Sequence, residues 1–185
     1  MKPRITDPRR LDVAAFARAE GVLEGELPAA DLPRLAASAL PADDGVAVPP
    51  VRWRAEGSLR PVTGGEPEFW LRLEAEGSVR LQCQRCLQPV AEPLAVDRRF
   101  RFVRGEDEAA RLDEELEDDV LALERSFDVV ELLEDELLLA LPLVPRHETC
   151  PQPLPMAAQP VEPARDERPH PFAALQALRK DRTPG

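Results

Sequence analysis

The spacing of apolar side chains changes along the chain, and each spacing predicts a different kind of element. In the first forty residues apolar positions recur at helical spacing, which predicts helices over about residues 8–21 and 31–40. Pro8 suits a first helical turn, Gly21 suits the position just after a helix end, and Asp31 suits an N-cap. We expect both helices to be packing elements.

Between residues 45 and 103 apolar and polar positions alternate, as they do in half-buried antiparallel strands. Gly64–Gly65 and residues 76–78 are predicted as the reversals between these strands. A C-x-x-C turn is placed at the tip of a hairpin between the last two runs. The alternating runs cover residues 46–48, 51–55, 69–75, 79–81 and 90–103.

An acidic block occupies residues 105–119, and we predict a solvated, mobile loop there. A divalent-ion site is the less favoured alternative, since the carboxylates lack the spacing and the glycine of a calcium loop. The acidic residues are Glu106, Asp107, Glu108, Asp113, Glu114, Glu115, Glu117, Asp118 and Asp119.

The best-defined helix is predicted to begin after Asp128, which has capping-box spacing to Glu131, and to end before Pro142. It is predicted to cover a sheet with one apolar face, and Leu138 and Leu139 are expected to be deeply buried. The apolar stripe consists of Val130, Leu133, Leu137 and Leu141, and the polar side carries Glu131, Glu134 and Asp135.

Together these elements predict an α+β fold: an antiparallel sheet of about five strands, packed by amphipathic helices, in one domain over residues 1–150. The chain has 185 residues and 21 prolines, and the prolines concentrate toward the C-terminus. We therefore predict a Pro-rich, largely disordered tail over residues 151–185. A short helical segment at 171–180 either docks on a partner or folds back on its own domain.

No stretch resembles a secretory leader or a membrane span, so a cytoplasmic protein without membrane contact is expected. The formal net charge of −11 opposes binding to DNA or RNA by bulk electrostatics, because such binding depends on a basic surface that releases counterions. Local basic patches stay possible.

All three cysteines and one of the two histidines fall into a C-x-x-C motif and an H-x-x-C motif, about sixty residues apart. Two close thiols on a turn, completed by a distant His/Cys pair, have the composition of a four-ligand structural zinc site. A redox pair and unmetallated, packed thiols are the alternatives, and a structural disulfide is disfavoured in a reducing compartment. The candidate ligands are Cys83, Cys86, His147 and Cys150.

Direct RNA contact, if it occurs, is predicted at arginines near the hairpin tip and on the strand that follows it. The alternative is that these are solvated strand residues paired with neighbouring carboxylates. Trp53 and Trp70 are able to stack on bases, although tryptophans more often fill a core. The candidate RNA-binding residues are Arg85, Arg98, Arg99, Arg101 and Arg104.

Three separated segments follow one another along the chain: CQRCLQPV, VVELLEDELLLALPLVPRH and PFAALQALRK. In this order they resemble the YceD family of large ribosomal RNA subunit accumulation proteins. The resemblance implies a bacterial cytosolic, non-enzymatic factor for the synthesis, processing or stability of 23S ribosomal RNA. It carries over no catalytic residue. The positions that match its most distinctive features are Cys83, Cys86, Leu141, Pro142, His147 and Cys150.

Two functions therefore stay open. One is a ribosome-biogenesis factor that acts on 23S rRNA or its precursor, directly or indirectly. The other is a zinc-stabilised acidic adaptor that binds a basic ribosomal or assembly protein, because the acidic surface complements such a partner.

Overall fold

The computed structural model describes residues 7–41 and 49–151. The strand predicted at residues 46–48, the Pro-rich tail and its terminal helix lie outside the described residues, and the division of the chain at residue 150 stays a prediction. In chain order the elements are α1 (Val13–Arg18), β1 (Val22–Leu27), a 3-10 turn (Ala29–Asp31), α2 (Pro33–Ser38), β2 (Val51–Arg60), β3 (Glu68–Gln82), β4 (Pro89–Val103), α3 (Glu106–Glu115), β5 (Asp119–Ala122) and α4 (Val129–Leu139).

One five-stranded sheet has the spatial order β1-β2-β3-β4-β5. The first four strands are antiparallel neighbours, whereas β5 pairs in parallel with β4. The α+β class and the number of strands are confirmed, but the prediction of a purely antiparallel sheet is wrong at its last strand. The reason is α3, which carries the chain from the end of β4 back along the sheet, as a parallel pairing requires.

β3 is a single strand through the predicted reversal at residues 76–78, so that prediction is wrong. Gly77 pairs with Leu94 in the middle of the β3–β4 ladder. A Cβ on Gly77 would lie 2.9 Å from Cγ2 of Val51, so the glycine allows close packing here and does not mark a turn. The reversal between β2 and β3 is confirmed, with Gly64 at φ +78°.

The N-terminal segment differs from its prediction at the element boundaries. α1 begins later than predicted, because the Asp12 carboxylate accepts a hydrogen bond from the Ala15 N–H at 2.9 Å and caps the helix there. The strand β1, which begins directly after Gly21, was not predicted. Asp31 lies in the 3-10 turn, and α2 begins at Pro33 without a side-chain cap from its own N-cap residue.

The acidic block is a helix over most of its length, so the loop prediction is wrong. Glu106, Asp107 and Glu108 occupy the first turn of α3, where negative charge interacts favourably with the helix dipole. Arg111 bonds Glu108 and Glu115 at helical spacing, which reduces the repulsion between the carboxylates.

α4 begins as predicted, since the Asp128 carboxylate accepts from the Val130 and Glu131 N–H groups. The burial of two side chains on α4 differs from the prediction. Leu139 is 76% exposed, whereas Glu134, expected in solvent, is only 5% exposed. The burial of Glu134 follows from α2, which packs against α4 on the side where Glu134 projects.

The core lies between one face of the sheet and helices α1, α2 and α4, and Leu71, Leu133 and Leu137 are fully buried in it. Trp53 belongs to this core. We call the other side of the sheet the outer face. The alternate strand residues that project from it are mostly charged and surround Trp70. Its charged members include Glu24, Arg52, Arg54, Glu56, Arg60, Glu68, Arg72, Glu74, Glu76, Asp97, Arg99 and Arg101.

Candidate metal centre

The tip of the β3–β4 hairpin holds the C-x-x-C motif in a tight loop. The Cys83 N–H donates to the Gln88 carbonyl, and the Leu87 N–H donates to the Cys83 carbonyl, both at 2.9 Å. The loop closes because Leu87 adopts φ 62°, a left-handed conformation that is uncommon for a leucine. The folded loop buries both Cys83 and Cys86.

The segment after α4 delivers the other two candidate ligands. α4 ends at Leu139, and Pro142 prevents its continuation. The extended chain then reaches the hairpin tip, where the Pro145 carbonyl accepts a hydrogen bond from the Gln84 N–H at 2.9 Å. This backbone contact fixes the segment immediately before His147.

The four predicted ligands converge. Their ligand atoms all lie within 4.8 Å of one another, with Cys83 Sγ 3.9 Å from Cys150 Sγ and Cys86 Sγ 3.4 Å from His147 Nδ1. Tetrahedral zinc bonds imply separations of about 3.8 Å between two sulfurs and about 3.6 Å between a sulfur and a nitrogen. The group can therefore hold a metal ion with little rearrangement of the two closest pairs.

His147 is oriented as a ligand should be. Its Nε2 lies 3.0 Å from the Pro89 carbonyl oxygen, which can only accept, so Nε2 carries the proton. Nδ1 then keeps its lone pair, and it is Nδ1 that faces Cys86. A hydrogen bond on the far ring nitrogen that fixes the tautomer is the usual support for a metal-binding histidine.

Arg85, between the two cysteines of the turn, supports the same group. Its Nε donates to Cys150 Sγ at 2.9 Å, and one terminal nitrogen donates to the carbonyls of His147 and Glu148 at 3.2 and 3.3 Å. Three thiolates around a divalent ion leave one excess negative charge, which this guanidinium offsets. The structure thus places Arg85, predicted as an RNA contact, beside the candidate ligands.

The thiols differ in their electrostatic surroundings. Burial by itself raises the pKa of Cys83, but N–H donors from Cys86, His147 and Arg85 point at its sulfur and outweigh burial, which lowers the pKa to about 5. Burial raises the pKa of the Cys86 thiol, and the neighbouring sulfurs of Cys150 and Cys83 raise it further. Of the two cysteines of the turn, Cys83 is therefore the one more readily present as thiolate.

The remaining predicted RNA-binding arginines do not form one cluster. Arg99 and Arg101 lie on the outer face, while Arg98 projects from the opposite face toward α4. Three of the four have carboxylate partners: Arg98 pairs with Asp119 at 2.8 Å and Glu136 at 3.5 Å, Arg101 with Glu68 at 2.9 Å, and Arg104 with Glu66 at 4.0 Å. Arg99 lies opposite Arg72 in the β3–β4 ladder.

The sequence identified the four candidate ligands but not the groups that position them. The carbonyls of Pro89 and Pro145 act through the backbone, which carries no residue-type signal. An arginine inside the C-x-x-C motif was a usable signal, since it must lie within a few ångströms of the thiolates.

Among the described residues, no helix is both long and apolar enough to cross a membrane.

Fold and site together define a small α+β protein whose central hairpin is tied at its tip to the segment after the last helix by a Cys/His group able to bind metal. The chain belongs to the family described as large ribosomal RNA subunit accumulation protein YceD, whose model matches residues 71–179. This range includes all four candidate ligands.

A curated relative from Haemophilus influenzae carries the same name and is 36% identical over 107 residues. The matched part covers 55% of this chain and 60% of that relative's length. No solved structure matches the chain.

Proposed function

We propose that this protein promotes the accumulation of 23S ribosomal RNA, and so of the large ribosomal subunit, as a non-enzymatic factor in the cytoplasm. The observation that carries the proposal is membership of a family named for this role, with a match over residues 71–179. The target is 23S rRNA or its precursor, reached directly or through an assembly partner.

We further propose that the Cys/His group binds one zinc ion with a structural role. Four protein ligands fill a tetrahedral coordination shell, so such an ion would have no open position for a substrate or a reactive water. The metal would join the hairpin tip to the segment after α4, in addition to the hydrogen bonds that already connect them. Zinc binding would then contribute directly to folding stability.

A strain of the source organism that lacks the gene tests the proposed role. We expect the ratio of 23S to 16S rRNA to fall, free small subunits to increase in sucrose gradients, and a plasmid copy of the gene to restore both. An unchanged ratio, under conditions where the gene is normally expressed, would contradict the role.

Complementation with Cys83→Ser/Cys150→Ser connects the metal centre to this phenotype. We expect this variant to restore the ratio poorly, with a reduced amount of folded protein in the cell. Gln88→Ser, an exposed change in the same turn that removes no ligand, is the matched control and should restore it fully. Copurification of a basic ribosomal protein without RNA would instead favour the adaptor function.

A further inference from the structure

A surface cavity of about 490 Å³ lies on the outer face, at the end of the sheet where β1 begins. This volume falls within the range of ~300–1,000 Å³ typical of small-ligand sites. Three arginines and one indole define its chemistry: Arg60, Arg72, Arg99 and Trp70, with Ser58, Glu20 and Glu56 also lining it.

Arg99 has no ion-pair partner among the residues that the structure describes. It lies directly opposite Arg72 in the β3–β4 register, although like charges in that position are unfavourable. Arg72 is compensated, because both oxygens of Asp97 accept from it at 2.9 and 2.8 Å and Glu74 lies at 2.8 Å. Asp97 lies near enough for Arg99 to help lower its pKa, but no carboxylate of the described residues lies within ion-pair distance of Arg99. The donors of Arg99 are therefore available to an anion.

Arg60 and Trp70 form a stacked pair at the same cavity. The Arg60 guanidinium carbon lies 3.8 Å from the centre of the indole ring. Trp70 is only 4% exposed, and its Nε1–H donates to Glu68 at 3.0 Å. Arg60 is exposed, so the outer side of its planar guanidinium is open, and such a plane can stack on a nucleobase.

The two carboxylates at the cavity, Glu20 and Glu56, do not prevent it from binding an anion. Glu56 already accepts from Arg54 at 2.9 Å through Nε. Glu20 lies at the rim, where its oxygens suit hydroxyl or amino donors better than a phosphate. A stacking plane, a free guanidinium and a rim acceptor form the set of groups that a nucleotide requires.

From this arrangement we propose that the cavity binds a nucleotide of single-stranded RNA, with the base on Arg60 and the phosphate on Arg99. The inference deepens the proposed function and rests on it, since it assigns the RNA contact to one site. It retains Arg99 from the predicted RNA-binding arginines and adds Arg60 and Trp70. RNA contact stays a prediction for the other four arginines, Arg85, Arg98, Arg101 and Arg104.

Fluorescence anisotropy of the full-length chain with a labelled, mixed-sequence RNA of about ten nucleotides tests the proposal, since single-strand sites span roughly 4–16 nucleotides. We expect Arg99→Glu to weaken binding about tenfold or more, because a charge-assisted contact becomes a repulsive one. Arg60→Ala should cost about tenfold through the lost stack. Arg125→Glu makes the same charge change at an exposed arginine outside the cavity and should stay within about twofold.

Trp70 provides a second readout in a Trp53→Phe background, where it is the remaining tryptophan. RNA should quench its fluorescence, and adenosine monophosphate or inorganic phosphate should compete far less well than the RNA strand. Competition by the mononucleotide at equal concentration would assign the cavity to free nucleotides and overturn the RNA proposal. Equal competition by phosphate would reduce the cavity to an anion site and also overturn it.

Absence of RNA binding, or equal weakening by Arg125→Glu, would refute the cavity as an RNA site. Neither result bears on the 23S to 16S ratio of the deletion strain. The two hypotheses therefore fail separately.

Discussion

Glu134 provides the sharpest test of how α2 and α4 are held together. Its carboxylate on α4 accepts from the N–H groups of Arg34 and Leu35 at 2.7 and 3.1 Å, and from Arg34 Nε at 2.9 Å. The two N–H groups belong to the first turn of α2, whose N-cap residue Leu32 has no capping side chain. Glu134 thus caps a helix about a hundred residues earlier in the chain.

The expected cost of Glu134→Ala follows from which groups lose their partners. Leu35 is buried, so its N–H is left without an acceptor, and an unsatisfied buried donor costs about 1–3 kcal/mol. Arg34 loses less, because it is partly exposed and keeps Asp135 as a partner. We therefore expect a loss of about 2–3 kcal/mol in the free energy of unfolding at neutral pH, which is below the ~3–5 kcal/mol of a fully buried pair.

Urea unfolding followed by circular dichroism measures this loss, with two variants for comparison. Glu134→Gln keeps an acceptor oxygen and should lose about half as much. Asp135→Ala removes only an exposed partner and should cost under about 1 kcal/mol. A loss below about 0.5 kcal/mol for Glu134→Ala, or an equal loss for Asp135→Ala, would refute the capping role.

The same carboxylate predicts a dependence on pH. Burial raises the pKa of Glu134, but the bonds from Arg34 and from the Leu35 N–H outweigh burial and lower it below its ordinary value. A group with a lowered folded-state pKa stabilises the fold above its unfolded pKa of about 4.3, and this contribution is lost as the pH falls through the folded value. The stability difference between wild type and Glu134→Gln should be constant near neutral pH and shrink below about pH 4.

Three further predictions concern the metal centre and the core. Leu87→Gly should raise the melting temperature by about 2 °C, because glycine relieves the left-handed strain at φ 62°, whereas Leu87→Ala should not; a fall for Leu87→Gly in differential scanning calorimetry would contradict this. Arg85→Gln should weaken zinc affinity about 10-fold or more in a competition assay with a chromogenic chelator, and Arg85→Lys less; unchanged affinity for both would remove Arg85 from the metal centre. Leu133→Ala should cost about 2–5 kcal/mol in urea unfolding, since Leu133 is fully buried, and a cost below about 1 kcal/mol would contradict its place in the core.

Local patterns predicted those features that depend on neighbouring residues. Alternation identified β2, most of β3 and β4, because half-buried strands require it. The Asp128 cap and the apolar stripe of α4 were equally local. The four candidate metal ligands could be proposed because close thiols and a distant His/Cys pair form a specific chemical pattern.

Features set by tertiary contacts were not predictable in the same way. Gly77 resembles a turn residue until Val51 is seen packed against it across the sheet. The spacing along α4 places Glu134 on the solvent side of the helix. Only the tertiary structure shows that α2 covers this side and donates hydrogen bonds to the carboxylate. The acidic block became α3 because Arg111 and the helix dipole offset the repulsion that suggested a loop.

The RNA-binding arginines illustrate the same limit at the candidate site. Strand spacing correctly separated Arg99 and Arg101 from Arg98, but it could not show that Arg104 lies beyond the end of β4, nor which carboxylates lie beside each arginine. Arg60 and Trp70 come from other strands, so only the pairing of β2, β3 and β4 brings them to Arg99.

The metal content of the purified protein tests the central claim most directly, namely that a metal ion ties the hairpin tip to the segment after α4. We predict about one zinc per chain by mass spectrometry when the protein is prepared in reducing buffer without added metal, and a lower melting temperature after chelation. Cys83→Ser/Cys150→Ser should lose both the zinc and the response to the chelator. Metal-free protein whose melting temperature is unchanged by these substitutions would contradict the claim.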